Sequence, residues 1–185
     1  HRRTALTGVN EYPNLAEAPL PAEPAIEPIQ PSDSPSSVAR YAAGFEALRD
    51  RSDAHLAAHG ARPSALLLPV GPLAEHNIRT SFAANLLASG GVETVNPGTV
   101  AAAGVAQAVS EAGNPVAVVI CGTDARYAEE ASEVVAAARA AGVSHVYLAG
   151  PEKAVADSAE RPDEYLTATI DAIDALTTLL TRLGA

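Results

Sequence analysis

Residues 116–121 read Val-Ala-Val-Val-Ile-Cys, a continuous apolar stretch rich in β-branched side chains. A strand of this composition has no polar side, which is typical of the middle of a parallel sheet covered on both faces. A run of the same length at 65–70 and shorter ones at 92–95 and 145–148 predict three more strands, and a weaker run at 164–166 predicts a fifth.

Apolar residues at helical spacing separate these strands. The segments are Tyr41 to Gly60, Ile78-Phe82-Leu86 up to Gly90, residues 100–109, residues 131–138, and Ile170-Ile173-Leu176-Leu180. Asp33-Ser34 and Ser36-Ser37 supply candidate N-caps for the first helix. Strands that alternate with helices predict βαβ units with right-handed crossovers, hence an α/β fold with a flavodoxin-like, five-stranded parallel sheet flanked by helices.

Composition and charge narrow the classes of function. The chain has 185 residues, of which 48% are hydrophobic and 4% aromatic, so a core of Ala, Val and Leu is expected. Apolar runs of six residues are far shorter than the ~20 that a membrane span needs. The net charge of −10, with Arg2-Arg3 as the one basic cluster, argues against nucleic-acid binding. A single cysteine fits a reducing, cytoplasmic location.

The first 35 residues differ from the rest. They hold seven of the 14 prolines, and proline prevents a helix from passing through such a stretch. We expect an extended, Pro-rich strap laid over another surface, then a linker helix at 36–60 and one domain at 61–185. Because the chain starts at His1 and has no methionine, we also expect it to be a piece of a longer protein.

In an open α/β sheet, ligands bind at the carboxyl ends of the strands. The first such loop holds one glycine, Gly71, and an acidic residue, Glu75. It therefore lacks the several glycines and the basic residue of a phosphate-binding loop. His76 follows and is the one candidate metal ligand or proton carrier. Because no second histidine and no carboxylate partner for a ligating ring can be identified near it in sequence, the favoured interpretation is a partly exposed surface histidine.

The other polar candidates have structural interpretations. Cys121 is expected to be a buried core thiol. Thr123-Asp124 predicts a helix N-cap in which the aspartate accepts the first amide bonds. His55 and His59, four residues apart without an intervening glutamate, indicate a solvated helix face, and no nucleophile elbow is present. The residues alone predict an α/β domain without a recognisable active site.

Three features resemble a known family. Thr7-Gly-Val-Asn-Glu-Tyr-Pro13 is similar to the end of the substrate-binding barrel of methylmalonyl-CoA mutase. The Pro-rich strap with its helix is similar to the connector that follows, and the five βα units to the cobalamin-binding domain after it. The whole chain thus resembles the C-terminal part of this mutase, most closely the small subunit of the bacterial heterodimeric enzyme.

In cobalamin-binding members, the loop after the first strand carries Asp-x-His-x-x-Gly, in which the histidine ligates cobalt. The resemblance aligns this motif with Ala74, His76 and Arg79. It aligns the family's Ser-x-Leu with Gly122-Thr123-Asp124 and its Gly-Gly with Ala149-Gly150. His76 is thereby the only candidate cobalt ligand, and Gly122 and Gly150 are positions of a degenerate pocket.

These departures imply a cobalamin site that no longer functions, so the resemblance implies a non-catalytic chain without cofactor or catalytic residues of its own. The complex would interconvert succinyl-CoA and methylmalonyl-CoA in propionate metabolism, with adenosylcobalamin bound by a homologous large catalytic subunit in a cytoplasmic heterodimer. Two alternatives stay open: a stand-alone flavodoxin-like module that binds another small ligand, and a mutase domain that still binds cobalamin.

Overall fold

Five parallel strands form a single sheet in the computed structural model, which describes residues 5–17 and 40–185. The order is β2-β1-β3-β4-β5, and every neighbouring pair is parallel. This is the doubly wound, flavodoxin-like order, so the predicted fold class is confirmed. The strands are β1 Ser64–Pro69, β2 Glu93–Val95, β3 Ala117–Cys121, β4 His145–Leu148 and β5 Glu164–Tyr165.

Helices cover both faces of the sheet. They are α1 Ala43–His59, α2 Leu73–Ser89, α3 Val105–Glu111, α4 Asp124–Ala140 and α5 Ala172–Arg182, with 3-10 turns at Ala102–Gly104 and Glu152–Val155. The helices α1, α2 and α5 pack on one face, and α3 and α4 on the other. Within the described ranges, no helix combines the length and the apolarity needed to cross a bilayer.

The central position predicted for residues 116–121 is confirmed for 117–121, while Val116 precedes the strand and is 41% exposed. β3 lies between β1 and β4, and Val118 is in register with Leu66 on one side and Val146 on the other. Its residues are fully buried and alternate between the two cores: Val118 faces α3 and α4, and Val119 faces the other three helices. A strand covered on both faces needs apolar residues at every position, as its sequence provides.

The α2 helix differs from its predicted apolar stripe. Ile78 was expected on the core side with Phe82 and Leu86, but it is 78% exposed, and the inward positions in that turn are His76 and Thr80. Residues four apart advance by about 40° around a helix at each step. The line of apolar residues therefore turns gradually around the helix, and Ile78, its first member, lies outside the buried face.

The segment 5–17 contains a turn and one isolated bridge between Thr7 and Glu11. Arg49 of α1 holds it in place, since Nη2 donates hydrogen bonds to the carbonyl oxygens of Gly8 and Val9 at 3.0 and 2.8 Å. The helix α1 in turn packs into the core rather than standing apart from it. Of the strap predicted over residues 1–35, residues 1–4 and 18–35 lie outside the described residues, as do the predicted N-caps at 33–37.

Candidate functional site

The loops after β1, β3 and β4 meet at the carboxyl edge of the sheet, where the fold predicts a ligand site. They bring Gly71, Gly122 and Gly150 to one region, together with the first turns of α2 and α4. All three positions singled out in sequence, His76, Gly122 and Gly150, lie at this edge and are buried. What this edge can bind depends on the space that the surrounding side chains leave.

Tyr127 fills the space between the ends of β3 and β4. It is fully buried on α4, and its hydroxyl accepts a hydrogen bond from the Gly122 N–H and donates one to the Ala149 carbonyl oxygen, both at 2.8 Å. Burial raises the pKa of this phenol, so the hydroxyl stays protonated as the bond to Ala149 requires. Sequence reasoning missed this residue; its signal was an aromatic side chain four residues after the cap Thr123.

Arg79 lies across the same edge. Its Nη1 donates to the Ala149 carbonyl oxygen at 2.7 Å, and its Nη2 pairs with Asp124 Oδ1 at 3.0 Å. A methyl group added to Gly150 would lie 2.5 Å from Arg79 Nη1 and 2.8 Å from Tyr127 Cε2. Side chains therefore already occupy the space into which a Cβ atom of Gly150 would project.

The space over Gly122 is also filled. A Cβ atom there would lie 2.5 Å from Val70 Cγ2 and 3.2 Å from Tyr127 Cε1. At both glycines, the space that a Cβ atom would take is therefore filled by the protein's own side chains.

The predicted role of Asp124 as the N-cap of α4 is wrong. The cap is Thr123, whose hydroxyl oxygen accepts the Arg126 N–H at 3.3 Å. Asp124 is the first residue of the helix and directs its carboxylate to Arg79 instead. A capping side chain belongs to the residue before the helix, so the carboxylate of Asp124 is free to pair with the guanidinium.

His76 is not the partly exposed surface residue that the sequence predicted, since only 3% of it is exposed. Its Nδ1 lies 3.1 Å from Thr80 Oγ1, one turn along α2. Its Nε2 lies 3.3 Å from Thr99 Oγ1, in the loop after β2. That loop is fixed to the end of β1 by the Val100 N–H, which donates to the Pro69 carbonyl. Both ring nitrogens therefore have protein partners.

The charges of the first loop are engaged in ion pairs. Glu75 Oε2 lies 2.7 Å from Arg126 Nε, and the bond to this guanidinium lowers the pKa of Glu75. Arg126 also reaches Glu130 at 3.1 Å, and its pKa is raised by its acidic partners, chiefly Glu75. This cluster joins α2 to α4. It places the carboxylate of Glu75 beside the loop, and the guanidinium of Arg126 is already paired with acidic side chains.

Two further candidates have structural roles. Cys121 is completely buried, as predicted, and burial raises the pKa of its thiol to about 12, so it is not a reactive thiolate at neutral pH. His55 and His59 stack on the outer part of α1 with ring centroids 4.2 Å apart. Over residues 5–17 and 40–185, no three His, Cys, Asp or Glu side chains are grouped to hold a metal ion.

A cavity of about 470 Å³ opens beside Arg79, between α2 and the segment that follows β5. Its walls are largely apolar, with Arg79 and two threonine hydroxyls as the polar exceptions. The lining residues are Ile78, Arg79, Phe82, Gly150, Pro151, Leu166, Thr167, Ala168 and Thr169.

Curated relatives match the whole chain. It is 66% identical over 185 residues to the "Probable methylmalonyl-CoA mutase small subunit" of Mycobacterium bovis, and 45% identical over 184 residues to the "Methylmalonyl-CoA mutase small subunit" of Streptomyces virginiae. The resemblance predicted from the sequence is confirmed. The matches cover 100% and 99% of this chain but only 29% and 28% of those relatives.

Among solved structures, a "novel cobalamin-binding protein" from Desulfitobacterium hafniense matches 75% of this chain and 67% of its own, with a TM-score of 0.51 and 20% identity. At this identity the likeness supports the fold. No family model matches the chain.

Proposed function

We propose that this chain is the C-terminal part of a methylmalonyl-CoA mutase small subunit, and that it acts in the complex as a structural domain without a cobalamin site of its own. The complex would interconvert succinyl-CoA and methylmalonyl-CoA in the cytoplasm. Adenosylcobalamin would be bound by a homologous large subunit in a heterodimer. Within this chain, residues 1–35 would contain the end of the barrel and the strap, 36–60 the linker helix, and 61–185 the cobalamin-domain-like fold.

The first support is similarity. The relatives carry the small-subunit name at 66% and 45% identity, over essentially every residue of this chain. The chain spans less than a third of their length, so the activity of the whole protein is assigned through its relatives.

The main support for a structural role comes from the side chains that lie against Gly150 at the carboxyl edge. Arg79 and Tyr127 both occupy the space into which a Cβ of this glycine would project, at 2.5 and 2.8 Å. In the family motif, the position of Arg79 is a glycine that lets the nucleotide tail pass. A guanidinium anchored to Ala149 and Asp124 would lie in the path of that tail, and this misfit supports a domain without its own cobalamin.

His76 gives independent support. A cobalt ligand needs a free lone pair that faces the cofactor and a second group that orients the ring. Here the ring is 3% exposed, and its two nitrogens face Thr80 and Thr99. The family's orienting aspartate is replaced by Ala74, which lies exposed at the start of α2. Ligation would require His76 to leave its burial site.

The test uses full-length small subunit and large subunit, purified separately and then combined. Each is titrated with hydroxocobalamin, and the absorption spectrum is followed for the change that accompanies histidine ligation. We expect a saturable change with the large subunit and with the complex, at one cofactor per heterodimer, and none with the small subunit alone at micromolar cofactor. A His76→Ala subunit should reproduce the behaviour of the parent complex.

Other outcomes of this titration would favour one of the two alternative functions. A saturable change in the isolated small subunit that His76→Ala abolishes would show that this domain still binds cobalamin. The fold neighbour from Desulfitobacterium is the observation that favours this second candidate. Failure of the small subunit to associate with the large subunit would favour a separate module that binds another ligand.

A further inference from the structure

The stacked histidines of α1 lie at the end of that helix, before the amino end of β1, and play no part in the proposed function. The ring centroids of His55 and His59 are 4.2 Å apart, and the ring planes are inclined by 29°. Residues four apart lie on the same face of a helix. Helical zinc sites use this spacing for their two histidine ligands.

The hydrogen bonds of the two rings fix their tautomers. His55 Nδ1 lies 3.0 Å from the Ala61 carbonyl oxygen, and His59 Nδ1 lies 3.1 Å from the His55 carbonyl oxygen. A carbonyl oxygen can only accept a hydrogen bond, so each neutral ring carries its proton on Nδ1 and keeps its lone pair on Nε2. Metal-ligating histidines are oriented in this way, since their second ring nitrogen donates to a carbonyl, a carboxylate or water.

This arrangement is the reverse of the one at His76, where the ring is buried and both nitrogens face threonine hydroxyls. His59 is exposed and His55 is partly exposed. Zinc binds imidazole nitrogen at about 2.0–2.1 Å, so two such ligands at the tetrahedral angle are roughly 3.4 Å apart. The separation of 4.2 Å between the ring centroids is close to this spacing, and small rotations of the two side chains would close the difference.

The charges around the pair favour a cation. His59 is the last residue of α1, and the carbonyl groups at the end of a helix carry partial negative charge. Arg62, which follows three residues later, is paired with Asp53 at 2.6 Å, so its positive charge is balanced. The chain as a whole has a net charge of −10, which attracts cations to its surface.

We propose that His55 and His59 bind one divalent transition-metal ion of the class that prefers imidazole, such as Zn²⁺, through their Nε2 atoms. Water completes the coordination, because the described residues hold no group of three His, Cys, Asp or Glu side chains placed for a metal ion. The residue after His55 is Leu56, where zinc proteases have their glutamate base. The site therefore binds a metal ion without the group that would make it hydrolytic.

The test is histidine labelling with diethyl pyrocarbonate in the full-length small subunit, after a chelator has removed bound metal and without cobalamin. The reagent acylates a ring nitrogen through its lone pair, so a metal ion on Nε2 blocks the reaction. Peptide mass spectrometry assigns the label to each histidine. His145, partly exposed at the start of β4, is the internal control.

The matched control variant moves one histidine and keeps the number constant. It combines Ala57→His with His59→Ala, and position 57 is exposed. Its histidines at 55 and 57 are two residues apart and do not face each other on a helix. The single variant His59→Ala shows what one ligand achieves alone. Circular dichroism measures the helix content of each variant, which alanine or histidine at these outer positions should preserve.

We expect low-micromolar Zn²⁺ to slow the labelling of His55 and His59 together and to leave His145 unchanged. In His59→Ala, half-protection of His55 should need at least about tenfold more Zn²⁺, because two ligands on one helix reinforce each other's binding. The variant with the moved histidine should behave like His59→Ala. Mg²⁺ prefers oxygen ligands and should protect neither histidine.

Three results would overturn the proposal. The first is unchanged labelling of the parent protein in Zn²⁺. The second is protection of His55 that persists undiminished in His59→Ala or in the variant with the moved histidine, since neither has the pair. The third is equal protection by Mg²⁺, which would show attraction to negative charge and no imidazole ligation. Cobalamin is absent from every arm, so these rates do not depend on the proposed function, and the two proposals fail separately.

Discussion

Arg79 and Asp124 form an ion pair of 3.0 Å that joins α2 to α4 across the carboxyl edge of the sheet. Each residue neutralises the charge of the other, and Arg79 also donates to the Ala149 carbonyl. The pair therefore holds the guanidinium against Gly150, where a Cβ atom would lie 2.5 Å from Nη1.

The first prediction concerns this pair. Asp124→Ala should lower the free energy of unfolding by about 0.2–1 kcal/mol, because the pair is partly solvated. Arg79→Ala should cost more, about 1–3 kcal/mol, since it also removes a charged hydrogen bond to a backbone carbonyl. Urea unfolding of both single variants and the double variant measures the coupling. The exposed Arg40–Glu46 pair, at 3.3 Å, is the control and should show almost none.

Equal losses for Arg79→Ala and Asp124→Ala, fully additive in the double variant, would contradict this account of the pair.

The second prediction concerns Tyr127→Phe. Removal of the hydroxyl leaves the Gly122 N–H buried without its 2.8 Å acceptor, while Ala149 keeps its bond to Arg79. An unsatisfied buried amide costs about 1–3 kcal/mol, so we expect a loss of that size in urea unfolding. Tyr165→Phe is the control, because Tyr165 is only partly buried at the sheet's outer strand. A loss no greater than that of the control would show that the hydroxyl bridge contributes nothing.

The third prediction concerns the central strand. Val118 is completely buried between Leu66 and Val146, so Val118→Asp buries an unpaired charge and should prevent folding. Val118→Ala should fold and lose on the order of 2 kcal/mol. Val116→Asp, just outside the strand, should change stability by less than about 0.5 kcal/mol. Circular dichroism and thermal melting measure all three, and a Val118→Asp protein that melts near the parent temperature would contradict the strand order.

Much of the fold was predictable, because the sequence pattern and the tertiary structure agree there. The run at 116–121 is apolar at every position, and a strand covered on both faces requires that. The exposure of Ile78 was not predictable in the same way. Periodicity marks a helix, but which of two adjacent stripes faces the core depends on the neighbouring elements.

The candidate site was less predictable, because its contacts join distant parts of the chain. Asp124 resembles an N-cap in sequence, and its partner Arg79 is 45 residues away. His76 has its partner Thr99 in a loop 23 residues further on. Tyr127 matched no motif, since its role depends on two backbone groups at the ends of β3 and β4.

The fourth prediction concerns alkaline pH. The pKa of Cys121 is raised from 9.0 to about 12 by burial, so the folded state keeps a proton that the unfolded chain releases. The stability from this group is therefore present below pH 9 and is lost as the pH rises towards 12. Urea midpoints should fall as the pH passes 9. The Cys121→Ala variant should show a shallower decline between pH 9 and 10, because it keeps the contribution of the tyrosines, whose ordinary pKa is 10.0, and lacks that of the thiol.

Parallel declines in the parent and in Cys121→Ala over that interval would exclude the buried thiol as the cause.

The last prediction concerns the tautomer of His76. Thr99 Oγ1 lies 3.0 Å from the Gly71 carbonyl oxygen and 3.3 Å from His76 Nε2, and it has one proton to donate. If that proton goes to Gly71, Thr99 accepts from Nε2–H, and Nδ1 then accepts from the Thr80 hydroxyl at 3.1 Å. The Thr80 hydroxyl also lies 3.0 Å from the His76 carbonyl oxygen, but that carbonyl already accepts the Thr80 N–H within α2, so the hydroxyl proton can go to Nδ1. The opposite tautomer leaves either Nε2 or the Gly71 carbonyl without a partner. We therefore expect neutral His76 to carry its proton on Nε2, the form without a lone pair at that atom.

Nitrogen-15 NMR of the imidazole distinguishes a protonated ring nitrogen from one with a free lone pair, and should show Nε2 as the protonated atom. Thr99→Ala removes the acceptor of Nε2–H, so the proton should move to Nδ1, where the Thr80 oxygen can accept it. Thr80→Ala is the matched variant and should leave the proton on Nε2, because the contact with Thr99 is intact. A parent spectrum with the proton on Nδ1 would contradict the assignment, and it would leave the Nε2 lone pair directed at Thr99.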